Sequence, residues 1–469
     1  MSNPGCFGFK SWLFAIASTT ALLGCSPGGG VDPPPTPELG DADDDLRKSL
    51  ADLHASVLAL PESGEMRGRL AMAYDINEFE QTAVATYEQA EALDSKRFAW
   101  PYFRALVLGK TSDYESALEA MDRAIAIDDG YVPTWLWQGE WLRELGRYDE
   151  AVDAYRRAEA LGAASVAVPG RAQILLDRGL AEEAVALLEP MVEEDPHPHL
   201  HRMLGQAYRT LGRTDDARIA MARGRQATPL RWYDPRVSER ADYIFGYSGR
   251  LRHAQDLIRS GAVREALKVM DSIGTVRPDD PPFIGTLAWA YTEAGRVDEA
   301  VDVLRAGLET HPDYYRFHRH LAQAYLEKGD RGRLRHHLEQ VVAANPSDSW
   351  AHEQLGLLAT QEGRHDDALA AFDEAIKNGA ENPAIVLHTS AMIEGARERW
   401  PEAIERFQRA VAIDESFTIG FIYLGRSLAE AGRFEEARDA LAWAERLDTN
   451  PRELASAHAR LRDLEKELP

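Results

Sequence analysis

A pattern of about 34 residues repeats along this chain from residue 64 to residue 451. Each repeat has a small residue in the middle of a helical pattern and a second residue, usually alanine, twelve positions later. A fixed period of this length is typical of a solenoid, in which each repeat packs only against its neighbours. The first set of positions holds Ala71, Ala105, Gly139, Ala172, Gly205, Ala254, Ala288, Ala322, Gly356, Ala391 and Gly425, and the second holds Ala83, Ala117, Ala151, Ala184, Ala217, Ala266, Ala300, Leu334, Ala368, Ala403 and Ala437.

Each repeat has apolar residues at the spacing of two amphipathic helices. A Gly-Arg pair separates the two helices in many repeats, and glycine can adopt the left-handed conformation that ends a helix. Proline follows the second helix in several repeats, where it stops that helix and can begin the next one. No stretch alternates with the period of a strand, so we expect an all-α fold. The glycines are Gly146, Gly212, Gly295, Gly363 and Gly432, and the prolines are Pro196, Pro229, Pro278, Pro312 and Pro346.

The repeats resemble those of the tetratricopeptide repeat family. Two units carry the family's pattern of aromatic, glycine, large apolar, alanine and proline positions. The resemblance implies a right-handed α-solenoid of about eleven helix-turn-helix repeats, whose first helices line a concave surface that holds an extended peptide or a partner helix. Unit 132–165 has Trp135, Gly139, Leu142, Ala151, Tyr155 and Ala158, and unit 198–231 has Leu204, Gly205, Tyr208, Ala217 and Pro229.

The phase of the repeats divides the chain into two blocks. We expect five repeats in residues 64–231 and six in residues 247–451, separated by an aromatic-rich insertion at 232–246. A terminal repeat needs a cover with a polar outer face. We therefore predict capping helices within residues 45–63 and 452–469.

The N-terminal segment has the layout of a bacterial lipoprotein leader. An apolar run follows Lys10 and ends in Leu22-Leu23-Gly24-Cys25, which resembles a lipobox. The resemblance implies that residues 1–25 are a signal peptide and that Cys25 carries the lipid, with a plain signal peptide as the alternative. Ser26 follows the cysteine, which in this class of protein favours the outer membrane. Residues 26–44, rich in proline, glycine and aspartate, are expected to form a disordered tether.

The composition limits the chemistry of the chain. The formal net charge is −24, from 77 acidic and 53 basic residues, and nucleic-acid binding calls for the opposite sign. Of the two cysteines, Cys6 would leave with the leader and Cys25 would carry the lipid, so the mature chain would have no thiol for redox chemistry or a metal site. No phosphate loop or catalytic triad has an interpretable context. We expect no enzyme activity, no cofactor and no nucleic-acid partner.

Histidines form the one cluster that suggests metal chemistry. His197, His199 and His201 alternate with other residues, and imidazoles can bind copper or zinc. Their spacing of two does not place all three on one face of a helix, so a solvated joint between repeats is the favoured interpretation. A second group, His318, His320, His336 and His337, falls on the two helices of one repeat. Its members could approach each other, but solvated, charged side chains are the favoured interpretation.

The first helices of the repeats carry the candidate partner-binding residues. Arginine and aromatic side chains are common anchors of protein interfaces, and the phase directs several of them to the concave face. A cluster of tryptophans lies in one helix, where Trp135 is assigned to the core, while Trp137 and Trp141 are assigned either to contact or to packing. The candidates are Tyr102, Trp137, Glu140, Arg143, Arg202, Gln206, Arg209, Trp289, Arg319, Gln323 and Arg426.

The insertion at 232–246 has two interpretations. Its aromatic residues are Trp232, Tyr233, Tyr243 and Phe245, and Asp234-Pro235 is expected to begin a short helix. The segment either packs into the stack as a spacer or folds onto the concave face and occupies the groove.

Three functions remain open at this stage. The preferred hypothesis is a non-catalytic scaffold that is lipid-anchored at the periplasmic face of the outer membrane and binds a peptide or protein partner. The second is an assembly factor for an envelope machine, such as a pilus, a polysaccharide exporter or a respiratory complex. The third is a metal carrier or enzyme that uses the histidine cluster.

Overall fold

The structure is a computed structural model that describes residues 31–225, 227–447 and 451–467. Residues 34–469 form one compact unit, and the description below concerns that unit. The expected leader and the lipobox lie outside the described residues. In the part that is described, no helix is both long enough and apolar enough to cross a bilayer.

Helices are the only regular secondary structure of the described residues besides turns, and these residues contain no strand, which confirms the all-α solenoid. The first block consists of a leading helix and five helix pairs: α1 (Asp44–Ala59), α2 (Gly64–Ile76), α3 (Glu80–Leu93), α4 (Ala99–Lys110), α5 (Tyr114–Ile127), α6 (Val132–Glu144), α7 (Tyr148–Ala160), α8 (Ala164–Asp177), α9 (Ala181–Glu194), α10 (Pro198–Thr210) and α11 (Thr214–Arg223).

A short 3₁₀ helix, Pro235–Tyr243, lies between the blocks. The second block consists of six helix pairs and a last helix: α12 (Tyr247–Arg259), α13 (Val263–Ile273), α14 (Pro281–Glu293), α15 (Val297–Thr310), α16 (Tyr315–Glu327), α17 (Arg331–Ala344), α18 (Ser349–Gln361), α19 (His365–Lys377), α20 (Pro383–Ala396), α21 (Trp400–Ile413), α22 (Thr418–Glu430), α23 (Phe434–Arg446) and α24 (Pro451–Glu467).

The Gly-Arg turns have the predicted left-handed conformation. At Gly146 the φ angle is 72°. Its N–H donates to the carbonyl of Arg143 at 2.9 Å, and the N–H of Arg147 donates to that of Leu142 at 2.9 Å. These bonds satisfy carbonyls that the end of α6 would otherwise leave unpaired.

The repeated small residues bring the two helices of a pair into close contact. Gly139 of α6 faces the ring of Tyr155 of α7, and a Cβ atom at this position would lie 2.9 Å from that ring. The alanines at the corresponding positions Ala71 and Ala105 are fully buried. The small residues of the 34-residue pattern therefore mark the positions at which the first helix of a pair contacts a large side chain of the second helix.

The second half of the expected tether is ordered, which corrects the prediction of disorder for residues 34–43. The hydroxyl of Tyr74 donates to the carbonyl of Pro35 at 3.2 Å, and the Nε2 atom of His54 lies 3.3 Å from the carbonyl oxygen of Pro34. Leu39 packs against the apolar core of the first block. Proline carbonyls and one leucine therefore fix this segment against α1 and α2, although its composition is that of a linker.

The two blocks contact each other at the end where both begin. Gly246, directly before α12, lies close to the carboxylate of Asp43. A Cβ atom added at this glycine would lie 2.7 Å from a carboxylate oxygen. The guanidinium of Arg250 lies 3.8 Å from the carboxylate of Asp45. The second block therefore starts beside the start of the first.

The two blocks also contact each other at the end where both finish, and we call this the end contact. The guanidinium of Arg218 in α11 lies 4.3 Å from the ring centroid of Trp443 in α23 and 3.2 Å from the carboxylate of Glu415. Ile219 and Ala222 belong to the same apolar cluster as that tryptophan. The solenoid thus closes on itself within the described residues.

Candidate functional site

Residues 229–246, which we call the strap, lie across the first helices of the first block. The ring of Trp232 lies 4.7 Å from that of Trp137 in α6, at an interplanar angle of 71°. Further along, the side-chain amide of Asn77, directly after α2, donates to the carbonyl of Tyr243 at 2.7 Å. The strap therefore runs back towards the start of the block, in the place where the family resemblance puts a bound peptide.

Two tyrosine hydroxyls hold the carboxylate of Asp234. Tyr131 donates to Oδ1 at 2.7 Å, and Tyr102 donates to Oδ2. The same carboxylate accepts the backbone N–H of Arg236 at 3.2 Å and so caps the 3₁₀ helix that the Asp-Pro pair predicts. Burial, and then the nearby carboxylate, raise the pKa of both tyrosines, which therefore remain protonated donors.

Two arginines of the strap contact aromatic rings and a buried acid. The guanidinium carbon of Arg236 lies 4.6 Å from the ring centroid of Phe98, and that of Arg240 lies 5.4 Å from that of Phe103. Arg240 also pairs with Asp75 at 2.5 Å, where the two side chains are only 12% and 5% exposed. Burial raises the pKa of the Asp75 carboxyl, and the guanidinium opposes that change. The strap is thus joined to α2 by a charge pair that has little contact with water.

A cavity of about 820 Å³ lies where the strap passes α6, α8 and α10. Aromatic and aliphatic side chains form most of its wall, with a few polar groups, which is the usual make-up of a ligand pocket. It is lined by Trp137, Glu140, Arg143, Tyr155, Val166, Pro169, Gly170, Gln173, His199, Met203, Pro229, Leu230, Arg231, Trp232, Tyr233, Asp234 and Val237.

The candidates Glu140 and Arg143 form a polar network on the floor of this cavity. Their side chains pair at 3.0 Å. The hydroxyl of Tyr155 donates to Glu140 at 3.1 Å, and Arg143 also pairs with Asp177 of α8 at 3.0 Å. Both candidates therefore have partners inside the protein, so they fix the shape of the face.

The candidates on α10 are largely open to solvent. Arg202 and Arg209 are exposed, and Gln206 between them is half-buried. The guanidinium of Arg202 lies 3.0 Å from the Nδ1 atom of His199 and 3.4 Å from the carbonyl of Ala227. No carboxylate of the described residues is paired with Arg202.

The candidates of the second block lie on a face that stays accessible. The indole N–H of Trp289 donates to a glutamate of its own helix at 3.1 Å. Arg319 pairs with Asp348 at 3.0 Å, Gln323 is exposed, and Arg426 lies 5.1 Å from the ring centroid of Tyr423. These candidates are separate contacts on successive helices and do not form one cluster.

Three apolar residues of the second block were not among the candidates. Leu326, Ile385 and Met392 are 41%, 50% and 38% exposed, and they lie on the first helices α16 and α20. The repeat phase could have identified Leu326 and Met392, because they occupy places equivalent to those of the polar candidates, and Ile385 lies seven residues before Met392 on the same helix. Arginine and aromatic residues are the usual anchors of an interface, so the pattern did not point to aliphatic ones.

The partners of the strap in α2 were also missed. Asp75 and Asn77 end a first helix, and nothing near them in the sequence indicates a contact with residues 240–245. The separation along the chain is 165 residues for the pair of Asp75 and Arg240. A polar residue at a groove position was the only available signal, and every repeat has such residues.

The three tryptophans of α6 are buried to different degrees. Trp135, which was assigned to the core, is half-buried and packs against the edge of the apolar core of the first block. Its indole N–H donates to the carbonyl of Asp129 at 2.8 Å, and Arg157 lies 5.8 Å from its ring centroid, which holds it at the surface. Trp141 is 3% exposed and packs against Gly109.

The histidines of residues 197–201 contact different groups. The ring of His197 accepts the N–H of His199 at 3.1 Å and caps α10, while His201 is buried. Burial lowers the pKa of both His199 and His201, so each favours the neutral form. Within the described ranges, no group of three or more His, Cys, Asp or Glu residues could hold a metal ion.

The second histidine group does come together across one repeat. The Nδ1 atoms of His318 and His337 lie 2.9 Å apart. Burial, and then the neighbouring His318, lower the pKa of His337 to about 4. One Nδ1 atom donates its proton to the other, and the low pKa of His337 favours the neutral form of this pair.

Two family models match the chain, and both are described as tetratricopeptide repeat. One matches residues 257–324. The other matches residues 102–166, 170–231, 335–383 and 389–451. Together the matches extend through both blocks.

Two curated relatives come from Arabidopsis thaliana. The TPR repeat-containing thioredoxin TTL4 is 29% identical over 133 residues, and the inactive TPR repeat-containing thioredoxin TTL3 is 28% identical over 138 residues. The alignments cover 27% and 28% of this chain and 20% of each relative. The chain thus spans about a fifth of the length of these proteins.

Solved structures of other helical-repeat proteins are also similar. The anaphase-promoting complex hetero-tetramer Cut9–Hcn1 is 16% identical, with 90% of each chain covered and a TM-score of 0.35. Yeast Tom70 is 12% identical, with 85% of this chain and 96% of that chain covered and a TM-score of 0.36. YrrB, described as having an unusual peptide-binding site, is 15% identical, with 40% and 97% covered and a TM-score of 0.36.

Proposed function

Because the chain belongs to the tetratricopeptide repeat family, we propose that it is a non-catalytic scaffold that binds a peptide or protein partner. The partner contacts the first helices of the second block. The chain is anchored by lipid in the bacterial cell envelope, at the periplasmic face of the outer membrane. Its net charge of −24 makes nucleic acid an unfavourable partner.

The contrast between the two blocks carries this proposal. In the first block the strap already covers the first helices α2, α4 and α6. In the second block the corresponding helices present exposed apolar side chains at Leu326, Ile385 and Met392. Apolar side chains on one face lose their contact with water when a partner covers them, and this is the main favourable contribution to most protein association.

The polar residues of the same face supply specificity. Arg319 keeps a side chain that is 46% exposed while it pairs with Asp348. Trp350 lies beneath that guanidinium, with 5.1 Å from its ring centroid to the guanidinium carbon. An arginine held over an aromatic ring presents its remaining donors in a fixed direction, which suits recognition of carbonyl or carboxylate groups.

The double substitution Ile385→Asp and Met392→Asp should reduce partner capture at least about tenfold, because interface anchors cost more than about 1 kcal/mol each when they are lost. Both side chains face solvent, so the fold should survive. The measurement is crosslinking and affinity capture of the full chain from native membranes, followed by quantitative mass spectrometry. Ile413→Asp with Val276→Asp is the matched control, since these residues are also exposed but lie outside the first helices. Equal loss in the control pair, or full capture by the test pair, would contradict the proposal.

The anchor makes a separate prediction. Cys25→Ser should abolish palmitate labelling and shift the protein from the membrane to the soluble fraction, because a lipobox cysteine is the attachment point of the lipid. Cys6→Ser is the matched control and should leave labelling unchanged. A Cys25→Ser chain that still fractionates with membranes would disprove lipid anchoring without bearing on partner capture.

A further inference from the structure

We infer that the cavity under the strap is a second binding site, which takes an acidic peptide segment with an aromatic side chain. The cavity belongs to the first block and is separate from the exposed face of the second block. Its volume of about 820 Å³ is within the range of sites that enclose small ligands or several side chains. The inference thus adds a site to the proposed function and does not depend on it.

The strap contributes exposed apolar side chains to the wall of this cavity. Tyr233 is 82% exposed and Val237 is 37% exposed, and both line the cavity. Across from them are the aliphatic side chains of Val166 and Met203. An aromatic side chain between these walls would remove apolar surface of the strap and of the helices from water together.

The charged groups around the cavity favour an acidic occupant. Its two carboxylates are already engaged, since Glu140 accepts bonds from Arg143 and Tyr155, and Asp234 accepts bonds from two tyrosines. Arg231 also lines the cavity and is exposed, and among the described residues no carboxylate is paired with it. The chain has a net charge of −24 and most of its arginines are ion-paired, so an unpaired guanidinium at a cavity is available to donate hydrogen bonds to the carboxylate of a partner.

Arg202 adds a second positive charge beside the same cavity. Its guanidinium lies 3.0 Å from the Nδ1 atom of the lining residue His199. A ring nitrogen that accepts from this guanidinium is neutral, and burial lowers the pKa of His199 in the same direction. The positive charge at the rim of the cavity is therefore carried by Arg202 and Arg231. Two arginines suit a peptide that has a carboxylate on either side of one aromatic residue.

The strap itself shows that this face binds such chemistry. In the wall of the cavity, the Trp232 ring packs on Trp137 and the Asp234 carboxylate accepts hydrogen bonds from two tyrosine hydroxyls. An aromatic residue and an acid two positions apart are thus bound in cis by the neighbouring repeats. The open remainder of the face would bind a similar segment in trans.

The test uses the full chain and a fluorescein-labelled nine-residue peptide with a central tryptophan flanked by aspartate and glutamate. Fluorescence anisotropy should show saturable binding that weakens with salt. A peptide with alanine in place of tryptophan, and one with asparagine and glutamine in place of the acids, should each bind at least tenfold more weakly. Equal binding of the three peptides, or tighter binding of a lysine-flanked peptide, would overturn the inference.

Protein variants locate the binding. Val166→Trp fills the cavity and Arg231→Glu reverses the rim charge, and each should weaken binding of the acidic peptide at least tenfold. Arg264→Glu, at another exposed and unpaired arginine, is the matched control and should have no effect. If circular dichroism shows that the Val166→Trp chain has lost its helical structure, Gln173→Trp is used in its place. If a folded cavity-filling variant binds the acidic peptide as tightly as the unaltered chain, the peptide binds elsewhere and the inference is overturned. Loss of partner capture by variants of the second block tests the proposed function and has no bearing on this cavity.

Discussion

Asp75→Ala should release the strap from the first block and weaken its attachment by about 3–5 kcal/mol. The substitution leaves the guanidinium of Arg240 in a site where its side chain is 12% exposed, without the carboxylate that pairs with it. Breaking an ion pair destabilises a protein far more when the remaining charge is buried than when it is exposed to water. The measurement is tryptic cleavage after Arg236 in native buffer, whose rate should rise about 100-fold or more, as the same free energy implies.

Two further variants distinguish the contribution of the ion pair to the attachment of the strap from that of apolar packing. Asp75→Leu combined with Arg240→Met removes both charges and should restore most of the protection, because an apolar pair of similar size is often as stable as the ion pair it replaces. Asp298→Ala breaks the exposed pair with Lys328 and should leave the protection of the strap unchanged, because water screens that pair. A strap that stays protected in the Asp75→Ala chain would show that its aromatic contacts and its other hydrogen bonds hold it without the ion pair.

Trp100→Ala should reduce the free energy of unfolding of the first block by about 3–5 kcal/mol. The side chain is 1% exposed and its indole lies against Gly68, where an added Cβ would come within 2.3 Å of the ring. The repeat packs around the full ring, so removing it leaves a cavity that neighbouring helices cannot fill without moving. Urea denaturation followed by circular dichroism measures the loss.

Trp100→Phe should cost much less than the alanine variant. The indole N–H of Trp100 is buried without a hydrogen-bond partner, so phenylalanine removes an unsatisfied donor along with part of the ring. Trp135→Ala is the surface comparison, since that ring is half-buried and packs on Arg157. If Trp100→Phe proved as damaging as Trp100→Ala, the indole N–H would have a partner such as a bound water.

The repeat architecture follows from the sequence because its cause is local. Gly139 has to be small to receive Tyr155, and these positions are only sixteen residues apart, so the same constraint recurs in every unit. The Gly146-Arg147 turn is local in the same sense. Eleven repetitions of the same short-range requirement make the helix pairs predictable without any knowledge of the surroundings.

The strap's position could not be predicted in this way. Its composition, with Trp232 and Asp234-Pro235, indicated a short helix and two possible places for it. The choice between them depends on Asp75, Asn77 and Tyr102, which are more than a hundred residues away along the chain. Each of these residues is an ordinary member of its own helix, and its partner becomes evident only when the chain has folded back.

The end contact of Arg218 with Trp443 and Glu415 has a mechanical consequence. An open helical-repeat array behaves as a spring, because small rotations between neighbouring repeats add up along its length. Here both ends of the first block are held by the second, so a change of pitch in one block has to be matched in the other. Binding to the face of α16 and α20 would therefore strain the first block as well, which makes the whole array one elastic body.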